Sequence, residues 1–214
     1  MKAIIFDIET APLPREQLEK IMPKFEAPSN YKDPQKIETA INEKMYEWIA
    51  NAALSATTGS VCAIGMKIID EGTTVKEILL GDEVEILTKF WGLIAPKNVI
   101  WAKLIGFNSN SFDFPFLVRR SLKLGVAVPP TLLTRARGRI YLSEYCYDLM
   151  DYWACGTRET ISLDNLSKFF GVGAKNGNGA FFHKLLEENP KLAKEYLSND
   201  LDLTEACARK MGVL

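Results

Sequence analysis

Met1-Lys2-Ala3-Ile4-Ile5-Phe6-Asp7-Ile8-Glu9-Thr10 opens the chain with an apolar run that ends on two carboxylates two residues apart. In an extended strand, residues i and i+2 share a face, which puts Asp7 and Glu9 side by side. Aiming two carboxylates at one spot on a half-buried strand is costly unless a cation sits there. Taken alone, the pair reads more readily as a turn cap beside a solvated acid. Its meaning depends on what the rest of the chain brings to it.

The remainder is that of an ordinary globular protein. Of 214 residues, 47% are hydrophobic and 25% charged, enough apolar content for a real core, and the length favours one domain carrying an insertion. A formal net charge of −1 argues against bulk electrostatic binding of long nucleic acid but leaves room for a local basic groove. The four cysteines, Cys62, Cys146, Cys155 and Cys207, form no Cys-x-x-Cys pair and read as small buried thiols in a reducing compartment. Neither a leader pattern nor a bilayer-length apolar run is present, so the expected location is cytoplasmic.

Following the chain, Pro12 and Pro14 break the first strand, and residues 15–52 read as a helical excursion. Within it Ile37, Ile41, Met45, Trp48 and Ala52 form an amphipathic stripe. Val61–Ile69 and Thr74–Leu80 predict a hairpin, turning at Asp70-Glu71-Gly72. Asp82 caps a helix with Val84, Leu87, Phe90, Trp91 and Ile94 at helical spacing, stopped by Pro96. Val99–Phe107 predicts a further strand, followed by a helix from near Phe112 with Pro115 in its first turn. A loop with Arg135, Arg137 and Arg139 leads to a strand over Ile140–Met150, then a short helix from Ser162 that Gly171 ends. The glycine-rich Gly171–Gly179 segment precedes two terminal helices. The fold class this order predicts is α/β, a mixed sheet flanked by helices with a helical insertion after the first strand.

Two further contexts carry carboxylates. Asp113, in Asn108-Ser109-Asn110-Ser111-Phe112-Asp113-Phe114-Pro115-Phe116-Leu117, lies at a helix start, where the macrodipole alone would favour it. Its flanking phenylalanines read more readily as core than as a stacking platform. On the last helix, spacing of four puts Tyr196, Asp200 and Thr204 on one stripe at the rim of the core, with Leu197 and Leu201 docking the helix and Asp202 turned to solvent. Tyr147 and Asp151 share the Tyr196/Asp200 spacing, but their context is strand-like; Asp148 and Asp151 read as structural or supporting residues.

Phe6-Asp7-Ile8-Glu9-Thr10, Asn108…Phe112-Asp113 and Tyr196…Asp200…Thr204 together resemble the three ordered motifs of DEDD-type 3′-to-5′ exonucleases. The tyrosine branch (DEDDy), related to proofreading domains of family B DNA polymerases, is the nearest likeness. Asp148–Asp151 and Ser162-Leu163-Asp164-Asn165-Leu166…Gly171…Lys175 resemble that branch's connecting segments. The histidine branch places His five residues before the last aspartate, where Glu195 stands here; the single histidine, His183, is 17 residues before Asp200. The resemblance covers 1–10 and 60–210 but not the excursion at 11–57, and implies a ribonuclease H-like fold with 1–214 as one exonuclease domain.

The chemistry it implies is hydrolysis of phosphodiesters at the 3′ end of single-stranded DNA, releasing nucleoside monophosphates. Oxygen-only ligands suit two Mg²⁺ or Mn²⁺ ions. By the resemblance Asp7 bridges the metals, Glu9 and Asp200 hold the one that activates water, and Asp113 acts largely through metal-bound water. Tyr196 orients that water, while Thr10, Asn108, Phe112 and Lys175 contact substrate; the three loop arginines read as further phosphate contacts or as a solvated loop. Expected partners are single-stranded nucleic acid, DNA before RNA, and a polymerase or other replication or repair protein. Two other readings stand beside this one: an exoribonuclease on the same site, and an inactive fold serving as a nucleic-acid- or polymerase-binding module. A haloacid-dehalogenase-type phosphatase is disfavoured, because it needs aspartate where Glu9 stands.

Overall fold

The computed structural model describes residues 2–98, 100–136, 139–177, 179 and 182–214. Its main sheet contains β1 (Ala3–Pro12), β2 (Gly59–Asp70), β3 (Thr73–Leu80), β4 (Lys103–Gly106) and β7 (Cys146–Asp148), in the order β3-β2-β1-β4-β7. The opening run is therefore the central strand. Ala3, Ile4, Ile5 and Phe6 are all buried, as a strand covered on both faces requires. β1 pairs parallel to β4, and β4 parallel to β7. β2 and β3 form the expected antiparallel hairpin, with positive φ at both Glu71 (45°) and Gly72 (87°) matching a two-residue turn whose twist suits a hairpin.

Alternation along β1 decides what each face meets. Phe6 points to one side, against Phe90 of α3 (Glu83–Ile94) and Phe114 of α4 (Asp113–Leu124), at ring-centroid distances of 5.6 and 4.8 Å. Ala3 and Ile5 point to the other, into a core shared with Leu149 of α5 (Leu149–Ala154), Leu166 of α6 (Leu163–Phe170) and Leu201 and Cys207 of α8 (Pro190–Lys210). By the same alternation Asp7 and Glu9 share the α8 side. Gly65 on β2 lets α8 lie close: a Cβ there would fall 2.8 Å from Leu197 Cγ. α7 (Phe182–Glu188) packs beside α8.

Caps fall where the residues predict. Asp82 accepts from the amides of Val84 and Glu85, and Ser162 from that of Asn165. Glu83, the first residue of α3, makes a buried ion pair with Arg120, Oε2 to Nη2 at 2.7 Å, while its Oε1 accepts the Val61 amide. Ile86 takes the buried place on α3 that Val84 was expected to hold; Val84 is 40% exposed.

Three other expectations need correction. The strand read over Ile140–Met150 is two strands in different sheets: β6 (Arg139–Leu142) pairs with β5 (Leu133–Ala136), the chain turns at 143–145, and β7 joins β4. The β propensity is continuous there, but the pairing partners change. Met150 already lies in α5, which Asp148 caps by accepting its amide. In the strand read over Val99–Phe107, only Lys103–Gly106 pairs, and Val99 lies outside the described residues. Of the cysteines, Cys207 is buried, Cys62 and Cys146 are half-buried and Cys155 is exposed, all as free thiols.

Thr10–Ser60 form a compact unit separate from the one made by the segment ending at Glu9 and Val61–Leu214. It holds α1 (Arg15–Ile21) and α2 (Pro34–Ala50), the latter capped by Asp33 with Pro34 in its first turn. The stripe Ile37, Ile41, Met45 and Trp48 is half-buried, Trp48 meeting Phe25 at 6.3 Å; Ala52 falls past the helix end and is buried. No helix among the described residues is long and apolar enough to cross a membrane.

Candidate active site

Three elements of the larger unit converge on one cleft of about 320 Å³: the end of β1, the β4–α4 junction and the middle of α8. Asp7 and Glu9 project from β1 toward α8, where Tyr196 and Asp200, one turn apart, face back at 3% and 1% exposure. One carboxylate oxygen each from Asp7, Glu9 and Asp200 lies within 4.8 Å of the other two. Asp113 reaches β1 from the first turn of α4, on the other side of the sheet; its Oδ1 accepts the Ile8 amide at 3.2 Å. That bond holds α4 to the strand between the paired acids and keeps Asp113 at the edge of the trio. Larger depressions, of about 810 and 510 Å³, hold no comparable grouping among the described residues.

Crowding four carboxylates in a place largely closed to water raises their proton affinity. Asp7 lines the cleft, and burial foremost, then the neighbouring Asp200, raises its pKa to about 7 against the pull of Lys175. Burial and then Asp7 push Glu9 and Asp113 well above the carboxylate range. Burial also raises Asp200, though Lys175 opposes it. Lys175 Nζ contacts Asp200 Oδ2 at 2.6 Å and lies 5.2 Å from the Tyr196 ring centroid. Burial disfavours its charge, but the carboxylate prevails and raises its pKa. Among the described residues this is the one salt bridge to any of the four acids.

The donor set fits hard divalent cations. All available ligand atoms are carboxylate oxygens. Asp200 Oδ1 and the Tyr196 hydroxyl are buried without hydrogen-bond partners, although Lys175 stands close enough to the phenol to bear on its proton. Buried polar atoms are rarely left so, and a cation with its water shell would satisfy both. Burial keeps the phenol's proton in place well above the pH at which free tyrosine ionises.

The other residues singled out by sequence are placed as follows. Asn108 and Phe112 line the cleft. Asn108 has φ +58°, a left-handed conformation uncommon for residues other than glycine. Thr204 lines it too, but its hydroxyl donates to the Asp200 carbonyl at 2.8 Å. The Tyr196-Asp200-Thr204 stripe is thus fully buried, not at the rim of the core, because the β1 acids face it. Thr10 continues β1 half-buried and is not among the lining residues. Phe114 and Phe116 are core, as expected, leaving Phe112 to the cleft. α4 starts at the cleft and rises about 18 Å away from it over its 12 residues. Neither Arg135 nor Arg139, on the β5–β6 hairpin, lines the cleft; Arg137 lies outside the described residues.

Sequence reasoning did not single out Phe107, Met150 and Ile161, which form an apolar wall of the cleft, and named Ser162 and Leu163 without assigning them a part in it. Asp148, expected to be structural, is so. Its carboxylate accepts the amides of Asn108, Asn110 and Met150 at 2.8–2.9 Å, fixing the strained turn, and Asp151 accepts from the Asn110 side chain. Charge-assisted bonds of this kind contribute about 1.5–3 kcal/mol each and are not additive. Asp148→Ala is expected to lower unfolding free energy by about 3–4 kcal/mol in urea titration, and a loss under about 1 kcal/mol would show that the turn holds itself.

With this geometry in view, the family is shown directly. A family model described as a predicted 3′-5′ exonuclease related to the exonuclease domain of PolB matches residues 51–200, and the chain belongs to that family. The matched span takes in Asp113, Tyr196 and Asp200, while Asp7 and Glu9 precede it. No curated protein matches the chain.

Proposed function

We propose that the protein is a metal-dependent 3′-to-5′ exonuclease of the tyrosine branch, removing nucleoside monophosphates from the 3′ end of single-stranded DNA. The observation that carries this reading is the convergence of Asp7, Glu9 and Asp200 oxygens within 4.8 Å beside the buried, unpartnered Tyr196 hydroxyl. The family's relation to the PolB exonuclease domain supports DNA over RNA, and a polymerase or repair protein as partner.

Asp7, Glu9 and Asp200 would hold the Mg²⁺ or Mn²⁺ ions, with Asp113 acting from the edge. When bound, such ions acidify water and neutralise charge on the attacking and leaving oxygens. Tyr196 stays protonated, so it positions water by hydrogen bonding and is not the base. Phe112, with the apolar wall of Phe107, Met150 and Ile161, gives terminal bases a surface to stack on. Asn108, held by Asp148, offers an amide beside the acids.

The test is a 3′-labelled single strand, DNA against RNA, with Mg²⁺, Mn²⁺ or chelator. Stepwise mononucleotide release with either metal, ended by chelator, is expected. Binding without cleavage in both metals would make the protein a binding module. Tyr196→Phe, which removes one water-positioning hydrogen bond, is expected to lower kcat about 10–100-fold with KM little changed. Loss of the orphaned hydroxyl should leave stability equal or higher, as thermal melting would show.

A further inference from the structure

We infer that Lys175 is the resident counter-cation of the carboxylate cluster and a lock on it: divalent ions load only as its ammonium leaves Asp200. This rests on the metal-dependent reading above and adds a residue that opposes metal entry. The ammonium holds Asp200 Oδ2 at 2.6 Å, so only Oδ1 of that carboxylate is open. Two divalent ions would neutralise four carboxylates unaided, which leaves a lysine at contact distance in surplus and repelled at short range in a site of low dielectric.

The backbone around Lys175 is built to hold it there. Its amide donates to Asp164 Oδ1 at 2.9 Å, and the Asn199 side chain donates to the Ala174 carbonyl at 3.3 Å. Gly177 and Gly179, both among the described residues, each approach the site closely. A Cβ on Gly177 would fall 2.7 Å from Tyr196 Cδ2, and one on Gly179 would fall 3.2 Å from the Tyr196 hydroxyl and 3.6 Å from Glu9 Oε2. The strap thus lies against the acids and tyrosine that the chemistry uses, with a cation at its head.

The experiment is calorimetric titration of Mn²⁺ into wild-type protein, Lys175→Met, Lys175→Arg and Asp7→Asn, without nucleic acid. Lys175→Met is expected to bind Mn²⁺ about tenfold tighter than wild type, with Lys175→Arg within about threefold of it. Equal or weaker binding by Lys175→Met overturns the lock and leaves the nuclease reading intact. Absence of binding by wild type and Lys175→Met alike, no different from Asp7→Asn, overturns the metal-dependent reading and the lock with it. Hydrogen exchange on the wild type gives a readout independent of any variant. Saturating Mg²⁺ should increase exchange at the amides of Ala174–Gly177 at least about tenfold if the strap is released; unchanged or stronger protection overturns it.

Discussion

Asp7→Asn is expected to reduce cleavage of single-stranded DNA by at least about 10³-fold and, in chelator, to make the protein more stable. The first effect follows from the proposed metal site. Asp7 is the member of the trio nearest the strand's centre, and removing one ligand charge takes away several kcal/mol of transition-state stabilisation, each 1.36 kcal/mol being about tenfold in rate. The second follows from burial. Without a metal, the Asp7 carboxylate must ionise where burial, and then the neighbouring Asp200, raise its pKa to about 7. Asparagine keeps the shape and removes that charge. Above about pH 7 the gain should approach a few kcal/mol, or a rise of roughly 10 °C in melting temperature for a chain of this size. Activity assays and thermal melts on the same preparations check both. A destabilised Asp7→Asn would mean that the carboxylate makes favourable contacts in the metal-free fold and that its burial carries no net penalty.

The metal-free protein should also lose stability as pH rises from about 5 to 8, the reverse of the usual carboxylate effect. The sign follows from proton counting. For Asp7 the unfolded pKa is 3.8 and the folded value about 7. Between them the unfolded chain has released its proton and the folded one has not, so the folded state binds more protons and unfolding free energy falls with pH. Above about 7 the full penalty is felt: about 4 kcal/mol from Asp7 at about 1.36 kcal/mol per unit, with Glu9 and Asp113 shifted the same way. His183, lowered by burial, works in the opposite direction, but it is one half-exposed group against the four acids of the cluster, all raised. Asp202 and Glu205, lowered by their contacts with Lys67 despite partial burial, lose stability only as pH falls through the ordinary carboxylate range, below this window. On the proposed reading, Mg²⁺ or Mn²⁺ would bind the ionised cluster and compete with protons. The melting-temperature gain from about 5 mM of either, a working concentration for ions held by a few carboxylates, should therefore be several degrees larger near pH 8 than near pH 5. A melting temperature in chelator that is flat or rising over that range would refute the linkage.

Much of the site was legible because its parts sit on regular elements. Period two along β1 put Asp7 and Glu9 on one face, and spacing of four along α8 joined Tyr196 to Asp200. Both relations hold in the folded chain, and Asp202 is indeed exposed, held by Lys67 and Lys76. The Ile140–Met150 segment misleads because β propensity does not say which strand pairs with which. Composition offers the arginines as phosphate contacts or as a solvated loop, and of the described ones neither Arg135 nor Arg139 lines the cleft. Lys175 reads locally as a mobile contact for phosphate, since nothing nearby announces that its head lies on Asp200, 25 residues later in the chain.

The sequence by itself determined that the opening run is a strand, the Asp82 and Ser162 helix starts, the hairpin turn and the identity of the acids, because each depends on neighbours a few residues away. Tertiary structure alone decided that β1's acid face meets α8, that Asp113 reaches across to Ile8 at a separation of 105 residues, and that Phe107, Met150 and Ile161 form one wall. It also decided the protonation of the cluster. A carboxylate's charge depends on how much water surrounds it and which charges stand within a few ångströms, and only the packed fold supplies those distances.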